Sequence, residues 1–174
     1  MKKVAVLIAN GTEEIEFITP LDVIRRADGV LCDLISVNGK TPTCSHGVMV
    51  VADKVIEEVE LKDYDAVIIP GGMPGATNIA SNEKVISALT DMEKKEKLIA
   101  SICASPAVVL KANGISNGKK STCYPAVQFI EVMGNDYTGA EVEVSKNLIT
   151  ANGPKSAMAF ALEICKALNL TPKI

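Results

Sequence analysis

Aromatic and basic residues are both scarce in this chain. Tryptophan is absent, and tyrosine and phenylalanine contribute three residues each, which leaves aromatics at 3% of the composition. Lysine and arginine number 18 against 21 aspartates and glutamates, so the formal net charge at pH 7 is −3. Neutralising phosphates requires clustered positive charge, and stacking bases requires aromatic faces. We therefore expect no nucleic-acid partner.

Long apolar runs and paired cysteines are also missing. No stretch approaches the roughly 20 apolar residues that a membrane span requires. We therefore expect a cytoplasmic protein with no membrane partner. The five cysteines are odd in number and widely spaced, without any Cys-x-x-Cys pair. This pattern disfavours a disulfide scaffold and a zinc site, and we predict that the protein uses no metal.

The chain alternates short apolar runs with longer helical patterns. Hydrophobic residues make up 48% of its 174 residues, enough for a substantial core. This alternation is typical of βα units around a mostly parallel sheet, and we predict one domain over residues 1–174. Thr12 is the expected N-cap of the first helix, and Pro20 is expected to kink or restart it. Strands are expected at residues 3–9, 30–37, 65–70, 97–102, 141–144 and 148–151, helices at 13–27, 82–95, 105–111, 128–132 and 156–168, and a β-hairpin-like excursion at 40–53.

Cys103 is the residue that points to chemistry. It lies between a predicted buried strand that ends at Ile102 and a predicted helix that begins at Ser105. In open α/β sheets, ligands bind outside the carboxyl ends of the strands, and a side chain at such a corner is held up into that crevice. The helix N-terminus would favour the thiolate, which is the nucleophilic form of cysteine. The alternative is a small packing residue, because free cysteine is among the most buried residue types.

Backbone amides at two strand ends and one acidic side chain of the first helix could assist a nucleophile at this corner. Gly71 and Gly72 end another predicted strand, where backbone N–H groups could form an oxyanion hole. The amide of Ala104 could complete that oxyanion hole, and an ordinary tight turn is the alternative. Glu16 lies in an otherwise apolar part of the first helix, where a buried carboxyl would be protonated and could donate to a thiolate. A solvated surface acid is the alternative for Glu16.

Three sequence motifs occur in order along the chain. They are Glu-Glu-Ile-Glu-Phe-Ile-Thr-Pro-Leu-Asp-Val-Ile-Arg-Arg-Ala at 13–27, Val-Ile-Ile-Pro-Gly-Gly at 67–72 and Ile-Cys-Ala-Ser-Pro at 102–106. Together they resemble the ThiJ/PfpI superfamily, and within it the parkinsonism-associated deglycase branch with its bacterial relatives. The likeness extends over essentially the whole chain. It implies a flavodoxin-like three-layer α/β sandwich with a mostly parallel central sheet, assembled as a homodimer.

The resemblance also implies a function. Cys103 would be the nucleophile, and Glu16 would be the acid that is hydrogen-bonded to its thiolate. Members of this branch are credited with a glutathione-independent glyoxalase activity that converts methylglyoxal to lactate without a cofactor. They are also credited with repair of glyoxal-derived adducts on proteins, so the expected substrate is a small aldehyde. The alternative is a redox-responsive stress protein or chaperone whose Cys103 is oxidised without turnover.

The predicted substrate or anion pocket depends on the resemblance alone. Tyr124 stands where many relatives carry a histidine, so proton transfer would fall mainly to Glu16. Arg26 matches a basic residue that the first helix contributes in the family. His46 stands where the hairpin usually has an arginine, and Asn152 belongs to an Asn-Gly-Pro motif before the last predicted helix.

The single histidine, His46, bears on the class of reaction. Proteases of the superfamily place histidine directly after the nucleophilic cysteine, where this chain has Ala104. Glutamine amidotransferases carry one far downstream, where this chain has none. We therefore expect neither a Cys-His-Glu protease nor an amidotransferase, unless His46 reaches the site from the hairpin or from a second subunit. Cys123 is open to two interpretations, a resolving thiol close to Cys103 and a buried packing residue.

Overall fold

The computed structural model describes all 174 residues and contains one seven-stranded sheet. The strands are β1 Lys2–Ile8, β2 Val30–Ser36, β3 Lys54–Val55, β4 Ala66–Ile69, β5 Leu98–Ile102, β6 Val142–Ser145 and β7 Leu148–Ala151. Their order across the sheet is β3-β2-β1-β4-β5-β7-β6, and every neighbouring pair is parallel except β6 with β7. The five central strands are β2-β1-β4-β5-β7. Numbered among themselves along the chain, they have the 2-1-3-4-5 order of the flavodoxin-like fold. This confirms the predicted fold class.

Helices cover both faces of the sheet. They are α1 Glu14–Arg25, α2 Gly75–Ala80, α3 Glu83–Lys94, α4 Val127–Met133 and α5 Ala157–Ala167, together with a π-helical segment at Pro106–Leu110. Helices α1 and α5 pack on one face, whereas α2, α3 and the π-helical segment pack on the other. Successive side chains of β1 therefore enter different cores, which explains why its apolar run is continuous. No helix combines the length and the apolar character needed to cross a membrane.

The first helix differs from its prediction at two points. Glu13 is the N-cap, because its carboxylate accepts the Ile15 N–H at 3.3 Å, whereas the Thr12 hydroxyl accepts the Ala9 N–H instead. Helix α1 also continues through Pro20, so the predicted restart there is wrong. Proline removes one helical hydrogen bond, and its ring crowds the carbonyl four residues earlier. The apolar packing of α1 on the sheet holds the helix together across that position.

Residues 40–53 form a loop rather than a pair of regular strands. A single antiparallel bridge joins Thr43 to Met49, and the Cys44 N–H donates to the Val48 carbonyl at 2.8 Å. The predicted hairpin-like excursion is therefore present in outline only. Its amides are bound partly by side chains of α1, so the loop packs against the helix and does not extend the sheet.

Candidate active site

Cys103 lies at the corner between β5 and the π-helical segment. Its backbone φ is 67°, in the left-handed region that residues other than glycine seldom adopt. Its N–H donates to the Ala151 carbonyl of β7 at 2.9 Å, and its own carbonyl accepts the Tyr124 N–H at 2.7 Å. These two bonds hold the strained corner and fix the direction of the side chain. Cys103 is also the only one of the five cysteines that is not buried.

Glu16 lies on the buried face of α1 and has no exposed surface. The apolar residues that share this face are Phe17, Pro20, Val23 and Ile24. Pro20, Val23 and Ile24 follow Glu16 at the helical period, and this is the signal in the sequence that accounts for its burial. Glu16 Oε1 accepts the Gly71 N–H at 3.0 Å, and the carboxyl interacts with the thiol of Cys103. Glu16 Oε2 is buried without a hydrogen-bond partner.

Gly71 allows the thiol and the carboxyl to come together. A Cβ atom on Gly71 would lie 2.6 Å from Cys103 Cβ, 2.8 Å from Glu16 Oε1 and 3.0 Å from the Ile102 carbonyl oxygen. Only glycine fits at this point. The Gly71 N–H donates to Glu16, which favours a role in positioning the carboxyl, and the predicted oxyanion role of Gly71 stays a prediction. The other oxyanion candidates are the amides of the two neighbouring residues, Gly72 and Ala104.

The thiol and the carboxyl form a coupled acid pair. Burial raises the pKa of Glu16 to about 7, whereas its hydrogen bonds with Cys103 and the Gly71 amide act to lower it. Burial and the charge of the Glu16 carboxylate raise the pKa of Cys103, whereas the amides of Gly72 and Ala104 lower it. When the shared proton is on Glu16, the charge that opposes thiolate formation is gone. The two amides then remain to stabilise the sulfur.

A cleft of about 430 Å³ lies next to the backbone of Cys103, to which its lining is joined by hydrogen bonds. Its lining residues are Tyr124, Pro125, Asn152, Gly153, Pro154 and Lys155. Tyr124 lies here because its N–H is bonded to the Cys103 carbonyl, and Asn152 directly follows the β7 residue that accepts the Cys103 N–H. The volume lies within the range of cavities that bind small molecules. The structure thus places two of the four predicted pocket residues in this cleft, next to the backbone of Cys103.

The other two, Arg26 and His46, are not among the residues that line this cleft. Arg26 follows the last turn of α1, at the end opposite Glu16, and forms an ion pair within the helix. His46 is mostly exposed, with Nδ1 3.1 Å from the Glu14 carboxylate. No Cys-His pair therefore forms with Cys103 inside one chain.

Glu14 is a buried acid that its sequence context does not reveal. Its carboxylate accepts the His46 N–H at 2.7 Å, the Ser45 hydroxyl at 3.0 Å and the Val48 N–H at 3.4 Å. Burial alone would raise the pKa of Glu14, but hydrogen bonds from its own backbone N–H, from the side chain and N–H of His46 and from Ser45 outweigh it and lower the pKa to about 2. The partners lie at least 31 residues further along the chain, so no local pattern signals them. One ligand atom each from Glu13, Glu14 and His46 lies within 4.8 Å of the others, and the absence of a metal stays a prediction.

Cys123 lies apart from this chemistry. It is fully buried against Ala107 and Met133, and its thiol donates to the Tyr124 carbonyl at 3.3 Å. It is a free cysteine. This environment favours the packing interpretation over a resolving thiol.

Comparison with known proteins supports the resemblance seen in the motifs. Residues 2–167 match the DJ-1/PfpI family. The chain is 38% identical over 171 residues to the Parkinson disease protein 7 homolog of Danio rerio, covering 96% of this chain and 89% of that protein. It is 31% identical over 167 residues to a deglycase of Pyrococcus horikoshii, covering 95% of this chain and 99% of that protein. The structure of oxidized Toxoplasma gondii DJ-1 aligns with a TM-score of 0.91 at 39% identity, covering 97% of this chain and 91% of that one. The predicted family is therefore confirmed, and this chain belongs to the DJ-1/PfpI family.

Proposed function

We propose that this protein is a cofactor-free, cysteine-dependent enzyme that converts small α-oxoaldehydes to 2-hydroxy acids, with glyoxal-derived adducts on proteins as further substrates. The observation that carries the proposal is the pairing of a partly exposed thiol with a buried carboxyl whose pKa is raised to about 7. Such a carboxyl can both give and take a proton near neutral pH. The similarity to a protein named as a deglycase supports the same class of chemistry.

The reaction begins with addition of the Cys103 thiolate to the aldehyde carbon. A C–S bond forms as the π bond of the carbonyl breaks, and the resulting alkoxide takes the proton of Glu16 to give a hemithioacetal. The amides of Gly72 and Ala104 interact with the sulfur, so they lie next to the oxygen on which charge develops. Fixed donors of this kind stabilise such a charge without reorganisation.

The second half of the reaction moves a proton between two carbons. The Glu16 carboxylate removes the proton from the carbon bonded to sulfur and delivers it to the neighbouring carbon. The hydroxyl proton of the hemithioacetal passes to the oxygen of the neighbouring carbonyl, which gives the Cys103 thioester of a 2-hydroxy acid. Water then attacks the thioester carbonyl, the C–S bond breaks, and the thiol is regenerated. One aldehyde and one water yield one 2-hydroxy acid, and no external oxidant or reductant is needed.

Turnover of methylglyoxal without glutathione tests this proposal. D- and L-lactate are quantified for the wild type, Cys103→Ser, Glu16→Gln and the surface control Glu163→Gln, with amine buffers avoided. Loss of a nucleophile or of a general acid–base group is expected to lower the rate by at least about 100-fold. The control is expected to match the wild type. Wild-type protein that forms no lactate above background contradicts the proposal.

Oxidation of Cys103 is a second candidate function. The observation that favours it is that this thiol alone among the five is not buried, and that it lies beside two backbone donors. Each molecule of peroxide would add one oxygen to the sulfur and be reduced to water, giving sulfenic and then sulfinic acid. Intact mass spectrometry after peroxide treatment should show two added oxygens in the wild type and none in Cys103→Ser. Oxidation without any aldehyde turnover would favour this function over the enzyme.

We further propose that the protein is a homodimer. Helices α1 and α5 pack against each other, and apolar side chains stay exposed on both and on the adjoining loop. These side chains are Ile15, Ile18, Val48, Met49, Val51, Met158 and Leu162. A patch of this kind marks an interaction surface, and a second copy can present the same patch about a two-fold axis. Light scattering should give twice the chain mass for the wild type and the chain mass for Ile18→Asp, and a monomeric wild type contradicts the proposal.

A further inference from the structure

The cleft beside Cys103 contains a single charged side chain. Lys155 is the only ionised residue in its lining, and no acidic residue is among the others. Lys155 forms none of the salt bridges of the protein. The chain as a whole carries a net charge of −3, so the positive charge of this cleft does not reflect the charge of the whole protein. An unpaired cation at the edge of a cavity attracts an anionic occupant.

The backbone around Lys155 is held in a fixed position relative to the thiol. The Ser156 N–H donates to the Gly153 carbonyl at 3.0 Å, and the Ser156 hydroxyl donates to Asn152 Oδ1. Asn152 continues directly from β7, which also accepts the N–H of Cys103. Lys155 therefore follows the end of β7, and the backbone of Cys103 at the end of the neighbouring β5 is hydrogen-bonded to that same end.

The rest of the cleft is lined by uncharged residues and suits the apolar middle part of a ligand. A Cβ on Gly153 would lie 3.4 Å from Cδ2 of Tyr124, so the ring of Tyr124 lies close over the Gly153 backbone. Pro125 and Pro154 extend this apolar wall. A ligand that places a carbonyl at the thiol and an anionic group at Lys155 would use both features.

We propose that Lys155 selects substrates with an anionic group, namely α-oxoaldehydes that carry a carboxylate or a phosphate beyond the reacting carbonyls. This assignment rests on the proposed function of the same site. It moves anion recognition from Arg26 and His46, which the resemblance suggests, to a lysine at the start of the final helical region. Lys155 binds the part of the substrate that does not react, so it determines specificity and takes no proton.

Alkylation of Cys103 tests the role of Lys155 without requiring turnover. Iodoacetate and iodoacetamide both lose iodide to the attacking sulfur and differ in charge. Their second-order rate constants are measured by mass spectrometry for the wild type, Lys155→Met, Lys155→Arg and Lys166→Met, an exposed lysine on α5 outside the cleft. The ratio of the iodoacetate rate to the iodoacetamide rate is expected to fall about fivefold in Lys155→Met, because one nearby charge is lost. The ratio is expected to stay at the wild-type value in Lys155→Arg and Lys166→Met.

Salt and turnover provide two further readouts. High salt should bring the wild-type ratio towards that of Lys155→Met, because surface charges are screened. Turnover is compared for 4-carboxyphenylglyoxal and the uncharged 4-methylphenylglyoxal, and Lys155→Met should lower the relative kcat/KM of the carboxylate mainly through KM. Absence of turnover with both compounds contradicts the proposed function, and the alkylation ratio still decides the role of Lys155. An alkylation ratio that is equal in the wild type, Lys155→Met and Lys166→Met overturns the proposal.

Discussion

Substitution of Gly71 by alanine tests the close contact on which the site depends. The added Cβ would lie 2.6 Å from Cys103 Cβ and 3.0 Å from the Ile102 carbonyl oxygen, and neither atom is the end of a flexible side chain. Overpacking of this kind costs about 1–3 kcal/mol, and the reduced flexibility of the unfolded chain offsets about 0.4–1 kcal/mol of that. We expect a loss of about 1–2 kcal/mol in the free energy of unfolding. For a chain of this length that lowers Tm by about 2–8 °C.

The same substitution should also move the Glu16 carboxyl away from the Cys103 thiol. With Glu16 displaced, the pH dependence of Cys103 alkylation should lose its inflection near pH 7, which comes from proton exchange between carboxyl and thiol. Gly153→Ala is the matched control for stability, because its Cβ meets only the Tyr124 ring at 3.4 Å. Its unfolding free energy should change by less than about 0.5 kcal/mol. A Gly71→Ala protein with wild-type Tm and wild-type alkylation profile would refute the reasoning.

Three further predictions concern buried acids. The native state keeps the Glu16 proton up to about pH 7, whereas the unfolded state loses it near pH 4.5. The stability that this difference contributes is therefore fully present below pH 4.5 and is lost as the pH rises to about 7. Chemical denaturation should show that the free energy of unfolding falls by about 3 kcal/mol over that window relative to Glu16→Gln. Glu14→Gln should accelerate hydrogen exchange at the two loop amides that Glu14 binds, and unchanged exchange there would contradict this. Asp33→Ala should cost about 2 kcal/mol by urea unfolding, because it removes the 2.7 Å acceptor of the buried Tyr64 hydroxyl. The exposed control Asp22→Ala should stay within about 0.5 kcal/mol of the wild type.

The central strands of the sheet could be predicted because their apolar runs are nearly continuous, whereas the two-residue β3 falls outside every predicted strand. The predicted strand at 148–151 coincides with β7, and the strand at 97–102 differs from β5 by one residue. Helix α2 could not be predicted, because it has six residues, begins with a glycine and follows a proline. Both residue types are poor helix formers, and packing on the sheet determines the conformation there.

Much of the candidate site could also be predicted, since carboxyl ends of parallel strands meet at one edge of a sheet. This rule brings Cys103 and Gly72 together, and the helical period then brings in Glu16. It gives no information on where long-range partners lie. Glu14 binds a loop at least 31 residues away, and Lys155 reaches the cleft only through the turn that follows β7.

Because the backbone at position 103 is left-handed, selection for stability and selection for activity should favour different residues there. Glycine adopts such a φ freely, whereas a residue with a side chain is held there at a cost of about 1–2 kcal/mol. A randomised library screened for thermal stability alone should therefore become enriched in glycine at this position. A library screened for aldehyde turnover should return cysteine, and the residue recovered would report which property the population had been selected for.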